Sequence, residues 1–177
     1  MKDFIKKLSS EIEKAATLTF QELFKNGEKY YYCTLVTTGE GHPPLVSAWS
    51  WEALEREANK NENLEDYKST IKWSYSDSPY FNVGEDNFKI VKKLLASRPS
   101  IDDLDEHHWT IELRTRLEAM EFAMKKIDDK GLFTVNQPRS EICILAEIMP
   151  PETLNTEIAT RLNSSESIKD WLNEACE

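Results

Sequence analysis

Glycine, cysteine and basic charge are all scarce in this chain. Five glycines are spread over 177 residues, and neither G-x-G-x-x-G nor G-x-x-x-x-G-K-[ST] occurs. A glycine loop cradling a nucleotide phosphate is therefore not supported. The strand-to-helix serine elbow G-x-S-x-G is also missing, and with it the usual setting of a hydrolase nucleophile. The three cysteines, Cys33, Cys143 and Cys176, are odd in number, far apart and without a C-x-x-C pair, a poor basis for disulfides, zinc or redox work. Cys33 and Cys143 lie inside apolar runs and read as small core hydrophobes with free thiols in a reducing compartment. No apolar run approaches the roughly 20 residues that span a bilayer. The amino-terminal MKDFIKKLSSEIEKAA has no apolar signal-peptide core, so a cytoplasmic protein is expected.

Lysine and arginine number 22 against 32 aspartates and glutamates, a formal charge of −10. Phosphate backbones and anionic headgroups repel such a surface, so neither nucleic acid nor membrane is an expected partner. From Glu141 onward eight carboxylates stand against Arg161 and Lys169 alone. This local excess serves solubility, or steers a basic protein partner. Oligomeric state leaves no trace in the sequence.

What is present is a globular composition, 40% hydrophobic and 31% charged, fitting a single domain over residues 1–177. Ile5, Leu8, Ile12, Ala15, Ala16, Thr19 and Leu23 keep helical spacing up to a stop at Gly27. KYYYCTLVTT reads as a strand apolar on both faces, Tyr31, Cys33 and Leu35 on one and Tyr30, Tyr32, Thr34 and Val36 on the other. The loop GEGHPP joins it to a second strand, LVSAW, and Ser50 caps a short helix, WEALEREANK. TIKWSYS reads as a third strand, and a helix from Asp86 to about Ser97 follows. A long helix from about Ser100 to Lys130 carries Leu113, Leu117, Met120, Met124 and Ile127 inward. LFTV and EICILAEIM add two strands, and two helices close the chain, the first to about Leu162 and the last carrying Ile168, Trp171 and Leu172. The order α-β-β-α-β-α-α-β-β-α-α predicts an α+β fold, a mainly antiparallel sheet of about five strands packed with helices.

The candidate chemistry is thin. His108 and Glu112 stand four apart with Asp105 just before them, yet the companion signature of a zinc helix is missing. They read as solvated neighbours, and no metal or cofactor is expected. His42 stands in the GEGHPP loop, but nothing nearby in sequence makes it a general base. The distinctive stretch is WSYSDSPY, residues 73–80. Asp77 before Ser78-Pro79 suits an Asx-turn. Aromatic walls with a few hydroxyls and one acid also match a ligand pocket, or a protein-binding hot spot. The candidate binding residues are Trp73, Tyr75, Asp77, Tyr80 and, from the similar SAWSWEAL, Trp49.

The segments FKNGEKYYYCTLVTTGEGHPPLVSAWSWEALERE and KWSYSDSPY resemble a bacterial family known only as a domain of unknown function, number 4303. The likeness covers the first half to two thirds of the chain and brings no catalytic residues. Members of that family are similar to proteins encoded beside bacterial toxin genes, which implies an immunity or adaptor role. A non-enzymatic protein-binding module is thus the leading expectation. The alternative is a small-molecule-binding protein or enzyme with a pocket lined by Trp49, Trp73, Tyr75 and Asp77.

Overall fold

The aromatic and β-branched run Tyr30–Thr38 forms the central strand, β1, of a computed structural model that describes residues 2–175. Leu45–Ser50 (β2) pairs with it antiparallel and Cys143–Met149 (β3) parallel, a mixed sheet in the order β2-β1-β3. Nearly every side chain of β1 is buried, as its two apolar faces require. A register irregularity between Tyr30 and Tyr32 disturbs its alternation. Strict alternation predicts Tyr31 beside Cys33. Instead Tyr31 and Tyr32 share one cluster, and Tyr30 joins Cys33 and Leu35 in the other, the displacement expected where a bulge inserts one extra residue.

Helices cover both sides. Lys2–Leu23 (α1), Lys89–Ala96 (α4) and Glu106–Asp129 (α5) pack on the face of Cys33, Leu35 and Ile144. Leu117, Met120, Met124 and Ile127 of α5 are buried there, with Leu113 partly so. Asp105 caps α5, its carboxylate accepting from the His108 N–H at 2.9 Å. Trp51–Ala58 (α2), Leu64–Ile71 (α3) and Lys169–Glu174 (α7) cover the face of Tyr32, Trp49 and Leu145. Thr153–Leu162 (α6) runs along β3 and gives Ile158 and Leu162 to one cluster and Ala159 to the other.

This three-stranded mixed sheet corrects the expectation of a mainly antiparallel one of about five strands. TIKWSYS is the end of α3 followed by turns, and LFTV holds a 3-10 turn, Leu132–Thr134. In the first, Leu64, Tyr67 and Ile71 keep helical spacing, with acidic Glu65 and Asp66 in the opening turn. In the second, left-handed Gly131 turns the chain and only Phe133 is buried.

The sheet stops at three strands because both outer edges are already occupied. On β3, Asn155 Oδ1 accepts from the Ile148 N–H and Asn155 Nδ2 donates to the Ile148 carbonyl, each at 2.9 Å. Asn163 does the same at Ile144, at 2.9 and 2.7 Å. Two side-chain amides, one in α6 and one on the residue that ends it, thus take the place of a fourth strand. Beyond β2 lie the single bridge Val46–Val83 and a bond from the Ser78 hydroxyl to the Ala48 carbonyl.

Cys33 and Cys143 are buried and free, on opposite faces of the sheet, and burial pushes both thiols well up. Cys176 lies outside the described residues. An alkylating reagent should leave both buried thiols unmodified in the native protein and modify both after unfolding. A disulfide between them in unreduced mass spectra would contradict this placement.

Candidate functional site

The segment 73–80 is a strap laid over one face of the sheet. Three hydroxyl or indole donors pin its beginning by backbone carbonyls: Tyr31 to Lys72, Trp49 Nε1 to Ser74 at 2.7 Å and Ser47 to Tyr75 at 2.7 Å. Ser78 holds its end, donating to the Ala48 carbonyl and accepting from the Tyr80 N–H at 3.0 Å. The local turn bond is therefore a serine one, whereas the Asp77 carboxylate accepts from the Ser74 hydroxyl. These donors stand on β1 and β2, so a sheet face that carries polar side chains in its interior fixes the strap.

Trp73 and Tyr75 project from the strap into a cavity of about 340 Å³, closed on the far side by the start of α6 and by α7. At its base is Glu147 of β3, 4% exposed. Its Oε2 accepts from the Tyr32 hydroxyl at 2.8 Å and the Thr34 hydroxyl at 2.6 Å. Among the described residues nothing bonds its other oxygen, Oε1, which is left to the cavity. Burial pushes the Glu147 carboxyl up from an ordinary 4.5 to about 6, although both hydroxyl bonds pull the other way.

The remaining walls are aromatic and acidic. Trp171, the main buried residue of α7, lines the cavity together with Trp73, and the exposed Glu152 and Glu174 lie at the rim. Glu174 accepts from Trp73 Nε1 at 2.8 Å and from Lys72 Nζ at 2.7 Å. The bond from Lys72 is the chief cause holding the Glu174 carboxyl below its usual range. The Lys72 ammonium itself lies 5.5 Å from the Trp51 ring centre and 5.3 Å from that of Trp73. No lysine, arginine or histidine lines the cavity among the described residues.

A second buried carboxylate shows how differently the fold treats an ion that only supports structure. Burial would raise Glu112 too, but bonds from Arg98 and Arg116 hold it below its usual range. Arg116 also donates to the carbonyls of Gly41 and Pro99, at 2.6 and 2.8 Å, tying the GEGHPP loop to α5. The hollow of about 550 Å³ beside these residues is larger. Its lysine and arginines are already engaged, Arg98 and Arg116 by Glu112 and Lys92 by Glu85.

Of the five residues expected to bind, the structure brings Trp73 and Tyr75 into the cavity. Trp49 is fully buried beneath the strap as its anchor, and Asp77 is exposed outside the lining. Tyr80 belongs to a separate cluster, its hydroxyl bonded to Glu28 at 2.6 Å and to Arg56 at 3.0 Å. Glu147, Trp171 and Glu174 are site residues that no sequence motif marks. The available signal was one carboxylate within the otherwise apolar CILAEIM. His108, weighed for metal binding, bonds Asp105 at 2.7 Å, and no group of three possible ligands stands together among the described residues.

Because Asp77 is exposed and its carboxylate accepts from one serine hydroxyl, Asp77→Ala should cost about 1 kcal/mol or less. A loss of several kcal/mol in urea denaturation would show a structural role that this geometry lacks.

The model of one family, Domain of unknown function (DUF4303), matches residues 12–164. That span holds the sheet, the strap, Glu147 and Asn155, while Trp171 and Glu174 lie beyond it. No curated protein and no solved structure matches the chain. No helix of the described residues is long and apolar enough to cross a membrane.

Proposed function

We propose that this chain, which belongs to the DUF4303 family, is a non-enzymatic protein-binding module of the immunity or adaptor type. Its cavity face receives a basic protein partner. The observation that carries the reading is Glu147, a carboxylate buried without a countercharge among the described residues, at the base of an aromatic-walled opening. A buried charge destabilises a fold unless it is paired, and Glu112 shows that this fold pairs one where only structure is at stake. A cation brought by a partner completes Glu147. Three carboxylates in the lining and a chain charge of −10 draw such a partner in. Trp73, Tyr75 and Trp171 supply the aromatic contact area typical of binding hot spots. A bacterial cytoplasm, a reducing compartment, suits the two buried free thiols.

The pKa near 6 of Glu147 favours a second reading, a small-molecule-binding protein or an enzyme, because a carboxyl poised near neutrality serves proton transfer. Several hydroxyls share the lining with it, among them those of Ser69, Thr70, Ser74 and Tyr75.

Association kinetics separate the two. Wild type and Glu152→Lys are used side by side as bait in native extract; Glu152 is exposed and its side chain makes no capping bond, so the fold should tolerate the change. The recovered partner should be basic and should associate at least tenfold more slowly as salt rises from about 0.05 to 0.5 M. It should bind Glu152→Lys more weakly. An acidic partner, or an association rate indifferent to salt, would contradict the reading.

A further inference from the structure

Resting on that reading of the cavity face, we infer that the cavity is a subsite for a single ammonium group. A lysine side chain of the partner seats on Glu147 Oε1 between Trp73, Tyr75 and Trp171. The choice of ammonium over guanidinium follows from the oxygens. Arginine recognises a carboxylate through two parallel bonds, one to each oxygen. In Glu147 one oxygen already accepts from Tyr32 and Thr34, so a single acceptor faces the opening. A point charge on a slender stem fits one acceptor, and a planar fork does not.

The walls suit the same group. Aromatic faces attract a cation through their quadrupoles, and the protein already holds one ammonium this way, that of Lys72, set against Trp51 and Trp73 and bonded to Glu174. The size agrees: about 340 Å³ is near the lower end of ligand pockets, roughly 300–1,000 Å³. That space suits one side chain and not a helix. A metal ion is the poorer occupant, since the carboxylates do not gather into a ligand set among the described residues.

Seating an ammonium requires Glu147 ionised, so binding releases the proton that the free protein holds below pH 6. The other titratable or charged groups around Glu147 and the cavity are Tyr32 of β1, Cys143 of β3, Tyr75 of the strap, Glu152 before α6, Glu174 of α7, and Lys72 bonded to Glu174. Burial pushes Tyr32 and Cys143 up, which keeps them neutral. The Lys72 bond and other donors hold Glu174 down, which keeps it ionised. A transition between pH 5 and 7 therefore reports Glu147.

The test uses Nα-acetyl-lysine methylamide and its arginine counterpart as probes, read through the indole N–H signals of Trp73 and Trp171. The lysine amide should shift both signals and bind roughly tenfold tighter than the arginine amide. Its affinity should rise about tenfold from pH 5 to 7. Glu147→Gln should weaken it roughly tenfold or more and flatten the pH dependence. The arginine and pH arms use wild type alone and do not depend on the variant's folding. Equal or tighter binding of the arginine amide, indoles unmoved by the lysine amide, or an unchanged affinity in Glu147→Gln would overturn the subsite. If the amide fails while a basic protein still binds wild type and not Glu152→Lys, the subsite falls and the docking reading stands. If the amide binds and no basic protein does, the docking reading falls and the ammonium subsite stands.

Discussion

Asn155→Ala is expected to destabilise the protein by about 3 kcal/mol, read as a lowered urea midpoint with an unchanged slope. The side chain is 4% exposed and supplies both hydrogen bonds that the backbone of Ile148 makes on the outer edge of β3. Alanine leaves a buried N–H and a buried C=O without partners, each costing roughly 1–3 kcal/mol. Asn163 plays the same part at Ile144 but is half-buried, so water can replace its amide. Asn163→Ala should lose about 1 kcal/mol. Equal losses for the two variants would show that the edge closure is not what the Asn155 amide contributes. An unchanged midpoint for Asn155→Ala would remove the account of why the sheet ends at three strands.

The second large effect is a gain. Glu147→Gln should make the protein about 2 kcal/mol more stable than wild type above pH 6. The folded carboxyl has its pKa raised from 4.5 to about 6, so the native state holds this proton more tightly than the unfolded chain does. The favourable contribution is fully present below pH 4.5 and is lost as pH rises through about 6. The gap between the two values is worth roughly 2 kcal/mol. Glutamine keeps an oxygen to accept from Tyr32 and Thr34 and carries no charge to desolvate. The stability advantage should therefore grow from pH 4.5 to 6 and level off above. A variant less stable than wild type at pH 7 would mean that Glu147 is held for structure. A more stable one that has lost binding is what a group kept for function predicts.

Local pattern accounts for much of the fold. The apolar spacing in α1 and α5, the stop at Gly27 and the two-sided burial of β1 all follow from residue order. Two expected strands are replaced by turns for a reason that lies outside any local window. KWSYS alternates aromatic and polar residues as a half-buried strand would, yet side chains of β1 and β2 hold its carbonyls where a strand would need a neighbouring backbone. LFTV has strand-forming residues but no free edge to join, because α6 occupies the edge of β3.

The site was half legible for the same reason. Trp73 and Tyr75 stand out in an unusual stretch of sequence, and the cavity contains both. Trp49 looks equivalent in sequence, but on β2 it points beneath the strap and anchors it. Glu147 was hidden by company. In a chain with 32 carboxylates one more attracts no notice. Its importance comes from burial with no cation beside it among the described residues, which depends on α6, α7 and the strap meeting above β3.

The most direct test of the central claim is the titration of the Glu147 side-chain carboxyl by carbon-detected NMR, without and with saturating Nα-acetyl-lysine methylamide. The account predicts a midpoint near 6 in the free protein, falling by about one pH unit or more when the ammonium is seated. A midpoint at the ordinary glutamate value that the amide does not move would contradict it.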